Sequence, residues 1–172
     1  MNAKQILRER ARALARREKS AAIQGATIEV LEFRLAQERY AIECRWIQEV
    51  HSLKDVTAVP CTPPFLVGIV NVRGRILAVL DLKKFLDLPS PGITDLHCII
   101  LVRRNDCEVG ILADVIVGVR SISVDDLQLS LPTLTGVRSE CIRGVTAESV
   151  VVLDLERIFS DPRIIVHEEV EA

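Results

Sequence analysis

Aromatic residues are scarce in this chain: one Trp, one Tyr and four Phe make up 3% of 172 residues. A core without many rings must be built from Val, Ile and Leu, which favours strands packed on strands. Histidine is scarce too. His51, His97 and His167 stand far apart, with no Cys or carboxylate at a metal-ligand spacing, so no metal site is expected. The five cysteines, Cys44, Cys61, Cys98, Cys107 and Cys141, include no CxxC pair and read as small reduced hydrophobes rather than a disulfide framework. No apolar run reaches membrane-spanning length and no signal-peptide pattern opens the chain, which predicts a cytoplasmic protein with no membrane insertion.

Catalytic patterns are missing as well: there is no GxGxxG, P-loop, GxSxG or HExxH, and no Cys near a His. Neither a catalytic residue nor a cofactor is therefore expected. Asp81, Asp114 and Asp154 each interrupt an apolar strand, and two converging carboxylates such as Asp81 and Asp114 would suit a small hydrolase. The simpler reading is helix capping, because Asp81 and Asp154 both precede a helical turn at a strand end.

Charge is uneven. Residues 1–20 carry seven Lys and Arg against Glu9 and Glu18, a local charge of +5, which leaves −7 for the rest of a chain whose net charge is −2. An acidic body argues against nucleic acid as a partner, since such binders present a basic groove with stacking aromatics. Residues 1–24 read as a basic helical extension, with Ala3, Ile6, Leu7, Ala11, Leu14 and Ala15 along a thin apolar stripe. Residues 25–166 form the folded part and residues 167–172 an acidic tail.

After Gly25 the hydrophobic period shortens to two. "LEFRL" and "YAIECRW" predict a hairpin with one wet face, Glu32, Arg34, Glu43 and Arg45 pointing outward. "LVGIVNV" and "RILAVLDL" meet at the Arg73-Gly74 corner, where glycine supplies the positive φ and nothing about a turn calls for arginine. The chain then repeats itself. "AVLDLKKFLDLP" is echoed by "VVLDLERIFSDP" 73 residues later, "YAIECRWIQEV" by "VGILADVIVGV" 69 later, and Arg73-Gly74 by Arg143-Gly144. Duplication of a five-stranded unit follows, giving a mainly β fold of two small barrels side by side across an apolar seam, with short helices.

Residues 28–159 resemble the CheW adaptors of bacterial chemosensory arrays. The resemblance rests on "EFRLAQERYAIECRWIQEV", "PFLVGIVNVRGRILAVLDLKKFL", "VGILADVIVGV" and "VVVLDLERIF". The strand Gly followed by Asn-x-Arg-Gly and an apolar strand ending Asp-Leu is its most specific signature; Ala78 stands where the family usually has proline. The resemblance implies two SH3-like five-stranded barrels. It also implies a non-catalytic adaptor between the regulatory domain of a CheA-type histidine kinase and the cytoplasmic tip of methyl-accepting chemoreceptors, recruited to membrane-associated arrays. No receiver domain is expected after "VHEEVEA", unlike in the longer CheV.

Carried over residue by residue, Arg73 matches the receptor-coupling arginine and Glu49 the glutamate thought to act with it, with Asn71 alongside. Glu49 is expected to pair with Arg73 beside the groove between the subdomains. The kinase contact would draw on Pro63, Phe65, Leu66 and Val72 as an exposed aliphatic patch. An adaptor of a non-flagellar system, such as twitching motility, fits the same core; the hydrolase is the alternative from another class.

Overall fold

The computed structural model describes residues 25–53, 55–88, 98–128 and 137–164, so the basic arm and the acidic tail lie outside the described residues. The strands are β1 (Thr27–Leu35), β2 (Glu38–Glu43), β3 (Ile47–Ser52), β4 (Leu66–Val72), β5 (Arg75–Leu80), β6 (Cys98–Arg104), β7 (Cys107–Ala113), β8 (Val115–Ser123), β9 (Ile142–Val145) and β10 (Val150–Leu153). Among the described residues the α-helices are short: α1 (Leu82–Phe85), α2 (Val137–Glu140) and α3 (Leu155–Ser160).

The strands form two five-stranded sheets, ordered β8-β1-β2-β10-β9 and β3-β6-β7-β5-β4. Shifting every label by five turns one order into the other, so the duplication is present. The repeats are interleaved, however. Each sheet takes the first hairpin of one repeat and the last three strands of the other. The reason lies in the links. Only Asp114 separates β7 from β8 and a single 3-10 turn, Cys44–Trp46, separates β2 from β3. Between β7 and β8 one residue is too few to reverse a strand, which takes at least a two-residue loop, so the chain runs on into the neighbouring sheet, and between β2 and β3 the 3-10 turn makes the same crossing. The named ladders end at β8 and β9, and at β3 and β4, and an isolated bridge just past β8 and β3 spans each gap, Gln128 to Val145 of β9 and Thr57 to Ile69 of β4.

The largest core cluster lies between the sheets: Phe33, Leu35 and Ile42 of the first meet Leu80, Ile100 and Ile111 of the second, with Leu82, Phe85, Leu155 and Ile158 from the helices. A smaller cluster flanks it in each sheet, Val79, Ile99 and Leu101 in one and Val30, Ala41 and Val152 in the other. Strands between two cores must be apolar on both faces, which is why "CIILV" and "VGILA" scarcely alternate.

The same layering corrects the wet face expected of the first hairpin. Glu32 and Glu43 are buried. Glu32 sits between Arg39 and Arg120, each at 3.4 Å, and Glu43 pairs with Arg45 and Arg143. The Arg143-Gly144 echo is likewise one of sequence alone: it lies inside β9, not at a corner. The capping reading agrees with the geometry, as Asp81 accepts from the Lys83 N–H at 2.9 Å and Asp154 from the Arg157 N–H at 3.1 Å.

Gly68 explains one element of the "GIVNVRG" run. It sits at a register shift in β4 with φ +153°, and a Cβ there would stand 2.2 Å from the Thr57 carbonyl oxygen. Gly68→Ala is expected to cost about 2–3 kcal/mol, from backbone strain and the clash with a main-chain atom. Urea unfolding checks this as a lowered midpoint.

Candidate functional site

The Arg73-Gly74 corner is a two-residue hairpin loop in which both residues are left-handed, Arg73 at φ +51° and Gly74 at φ +83°. Loops of this kind match the twist of the strands they join. Sequence reasoning assigned positive φ to Gly74 alone. An L-residue held there costs about 1 kcal/mol, which a glycine or asparagine would largely avoid. Asn71 offsets part of it: its side-chain oxygen accepts the Gly74 N–H at 2.9 Å. Asn71 is thus exposed, as alternation predicts, and its amide braces the turn.

Arg73 is 74% exposed, and its Nη1 lies 3.3 Å from Glu49 Oε2 on β3. β3 and β4 are the two ends of the second sheet and share no ladder, only the bridge from Thr57, beyond β3, to Ile69 of β4, so this pair links the two edges by side chains. Glu49 has further partners that the sequence reading missed. Arg75 Nη2 is 3.4 Å from its Oε1, and His51 Nε2 is 2.9 Å from the same Oε2 that Arg73 approaches. Arg75 in turn holds Glu108 of β7, Nη1 to Oε2, at 2.6 Å. One carboxylate, 20% exposed, therefore lies within 3.4 Å of two guanidiniums and an imidazole, and of these Arg75 makes the hydrogen bond.

Beside this cluster opens a groove of about 600 Å³. His51, Ser52 and Asp55 line it from β3 and the segment beyond, and Ile69, Asn71 and Arg73 from β4 and the corner. Every lining residue belongs to the second sheet or to its connecting segment. The groove beside Arg73 thus lies at the seam of one sheet, not between the two.

The expected kinase surface is partly internal. Phe65 is buried edge-on against Phe85, ring centroids 5.3 Å apart, and Val72 belongs to the second sheet's own core. Their apolar bulk is spent on packing, so neither forms an exposed patch. Pro63 and Leu66 are half-buried. The exposed aliphatics of this sheet are Ile76, at 69%, and Val50, at 40%. Continuous apolar sequence in "RILAVL" hid Ile76, which stands just past the turn, where the flanking core no longer covers the strand.

The two carboxylates considered for hydrolysis are both committed elsewhere. Asp81 caps α1, while Asp114 Oδ1 takes Lys83 Nζ at 2.9 Å and Oδ2 takes the Ala36 N–H at 2.7 Å. Neither lines the groove. Among the described residues no group of three His, Cys, Asp or Glu could hold a metal ion, and no helix is long and apolar enough to cross a membrane.

The cysteines differ sharply in environment. Cys61 and Cys107 are exposed, whereas burial above all, with Asp161 nearby, pushes the Cys141 thiol up to about 11. A thiol so shifted holds almost no thiolate at pH 8. Alkylation followed by mass spectrometry should therefore label Cys61 and Cys107 within minutes and Cys141 only after unfolding. Early labelling of Cys141 would contradict its packing.

Two interleaved sheets around a shared core, carrying an exposed charged corner beside a groove, define a β-structured binding scaffold. The chain belongs to the CheW-like domain family, whose pattern it matches over residues 29–163. It is 31% identical to the chemotaxis protein CheW of Thermotoga maritima over 134 residues, covering 77% of this chain and 88% of that one. It is 28% identical to CheW of Treponema pallidum, covering 81% and 86%. The scaffolding protein TtCheW from Thermoanaerobacter tengcongensis has a similar crystal structure, with TM-score 0.67 and 26% identity, covering 77% of this chain and 88% of that one. FrzA of Myxococcus xanthus, 30% identical over 68% of this chain and 72% of its own, and PilI of Pseudomonas aeruginosa, 26% identical over 66% and 64%, are similar too. The chain is accordingly a CheW-like scaffold of chemotaxis and related chemosensory systems.

Proposed function

We propose that this chain couples chemoreceptors to a CheA-type histidine kinase, touching the kinase's regulatory domain on one surface and the cytoplasmic tip of the receptors on another. Receptor contact would recruit it to membrane-associated arrays. The observation that carries this reading is Arg73, an exposed guanidinium projected from a strained turn and held by a carboxylate at only one point. A guanidinium held in that way keeps donors free for a receptor carboxylate. Glu49 orients it and Asn71 keeps the turn. The reading requires no catalysis.

The kinase contact would draw on the half-buried Pro63 and Leu66, with Phe65 packed in the core beside Phe85 and Val72 in the second sheet's own core. Similarity to FrzA and PilI favours a second reading, service in a chemosensory system that does not drive flagella. Calorimetric titration against the kinase regulatory domain and, separately, a receptor cytoplasmic fragment tests the proposal. Saturable binding to both is the expected result, with Arg73→Ala weakening only the receptor arm; binding to neither would leave the resemblance one of fold.

A further inference from the structure

Arg75 is the second arginine on Glu49. It reaches Glu49 Oε1 with one arm of its guanidinium and Glu108 Oε2 with the other. The second contact, at 2.6 Å, is the shorter, so Arg75 is anchored on β7 and leans toward β3. That geometry leaves Arg73 a single oxygen of Glu49, which His51 also approaches. Arginine prefers carboxylates in two-point contact, and with both oxygens open it would close onto Glu49 as a fork. Removing the second cation would also leave more of the Glu49 charge for Arg73.

We propose that Arg75, anchored by Glu108, is a positioning residue that keeps Glu49 from closing fully on Arg73 and so keeps that guanidinium available to a partner carboxylate. The role rests on the receptor-coupling reading above, but the brace on Arg73 is a property of the free protein. Because all three residues are at least partly exposed, the effect is modest. Surface ion pairs differ by up to about 1 kcal/mol, which corresponds to roughly a two- to five-fold change in receptor affinity.

The test pairs two readouts on the full chain. Nitrogen-detected NMR of the Arg73 guanidinium reports how firmly it is held, and titration with a receptor cytoplasmic fragment reports coupling. Arg75→Ala should slow rotation of the Arg73 guanidinium and weaken receptor binding two- to five-fold. Arg75→Lys should restore part of both. In a Glu49→Gln background the same change should do neither, which separates positioning from general loss of structure. An unchanged Arg73 signal in Arg75→Ala overturns the proposal, as does an equal affinity loss with Glu49→Gln in place. A slowed Arg73 with no receptor binding by any variant, wild type included, would leave the brace standing and remove the coupling reading.

Discussion

Replacing Asp114 with Ala is expected to lower unfolding stability by about 3–5 kcal/mol, because it strands a buried cation. Lys83 and Asp114 meet at 2.9 Å with side chains only 10% and 8% exposed. Solvent cannot take over the ammonium charge, and the Ala36 N–H loses its acceptor at the same time. The position also matters for topology. Asp114 is the single residue carrying the chain from the second sheet into the first, its N–H donates to the Arg34 carbonyl, and its carboxylate ties α1 to the β1–β2 turn. Lys83→Met alone leaves the opposite charge buried and should also destabilise. The double variant Lys83→Met with Asp114→Asn removes both charges and keeps an acceptor for Ala36, so it should recover much of the loss. Urea unfolding of wild type, Asp114→Asn, Lys83→Met and the double variant measures this; losses that add in the double variant would mean the two residues do not act as a pair.

Arg73→Ala is expected to reduce receptor affinity roughly ten-fold or more, the usual worth of a hydrogen-bonded charge at a recognition contact, while stability shifts by no more than about 1 kcal/mol. Arg73→Gly sharpens the separation. Glycine accepts φ +51° without steric cost, so the turn keeps its shape while the guanidinium is lost. A protein folded as well as wild type but deficient in receptor binding would place Arg73 in recognition. Equal stability loss in both variants, with binding intact, would place it in the turn alone.

The repeat was legible because each copy carries its own hydrophobic pattern and its own capping aspartate. Which strands share a sheet was not. Exchanging hairpins between two like repeats leaves every pattern unchanged, and only the length of the β2–β3 and β7–β8 links distinguishes the arrangements. Glu32 and Glu43 were misplaced for a related reason: alternation separates two faces of a strand without saying what covers the second. Here arginines from β2, β8 and β9 reach those carboxylates. At the candidate site Glu49 and Arg73 were found through the signature, whereas Arg75, Glu108 and His51 carry no motif. The charged residues flanking both Glu49 and Arg73 were the available signal, because a carboxylate at the end of a strand ladder collects whatever cations the adjoining turn supplies.

The most direct test is kinase autophosphorylation in a reconstituted mixture of receptor-bearing membranes and a CheA-type kinase, with wild type, with Arg73→Gly, and with no added chain. The account predicts strong stimulation by wild type, little by Arg73→Gly, and co-sedimentation of kinase with membranes only when wild type is present. Stimulation by Arg73→Gly equal to that by wild type would contradict it.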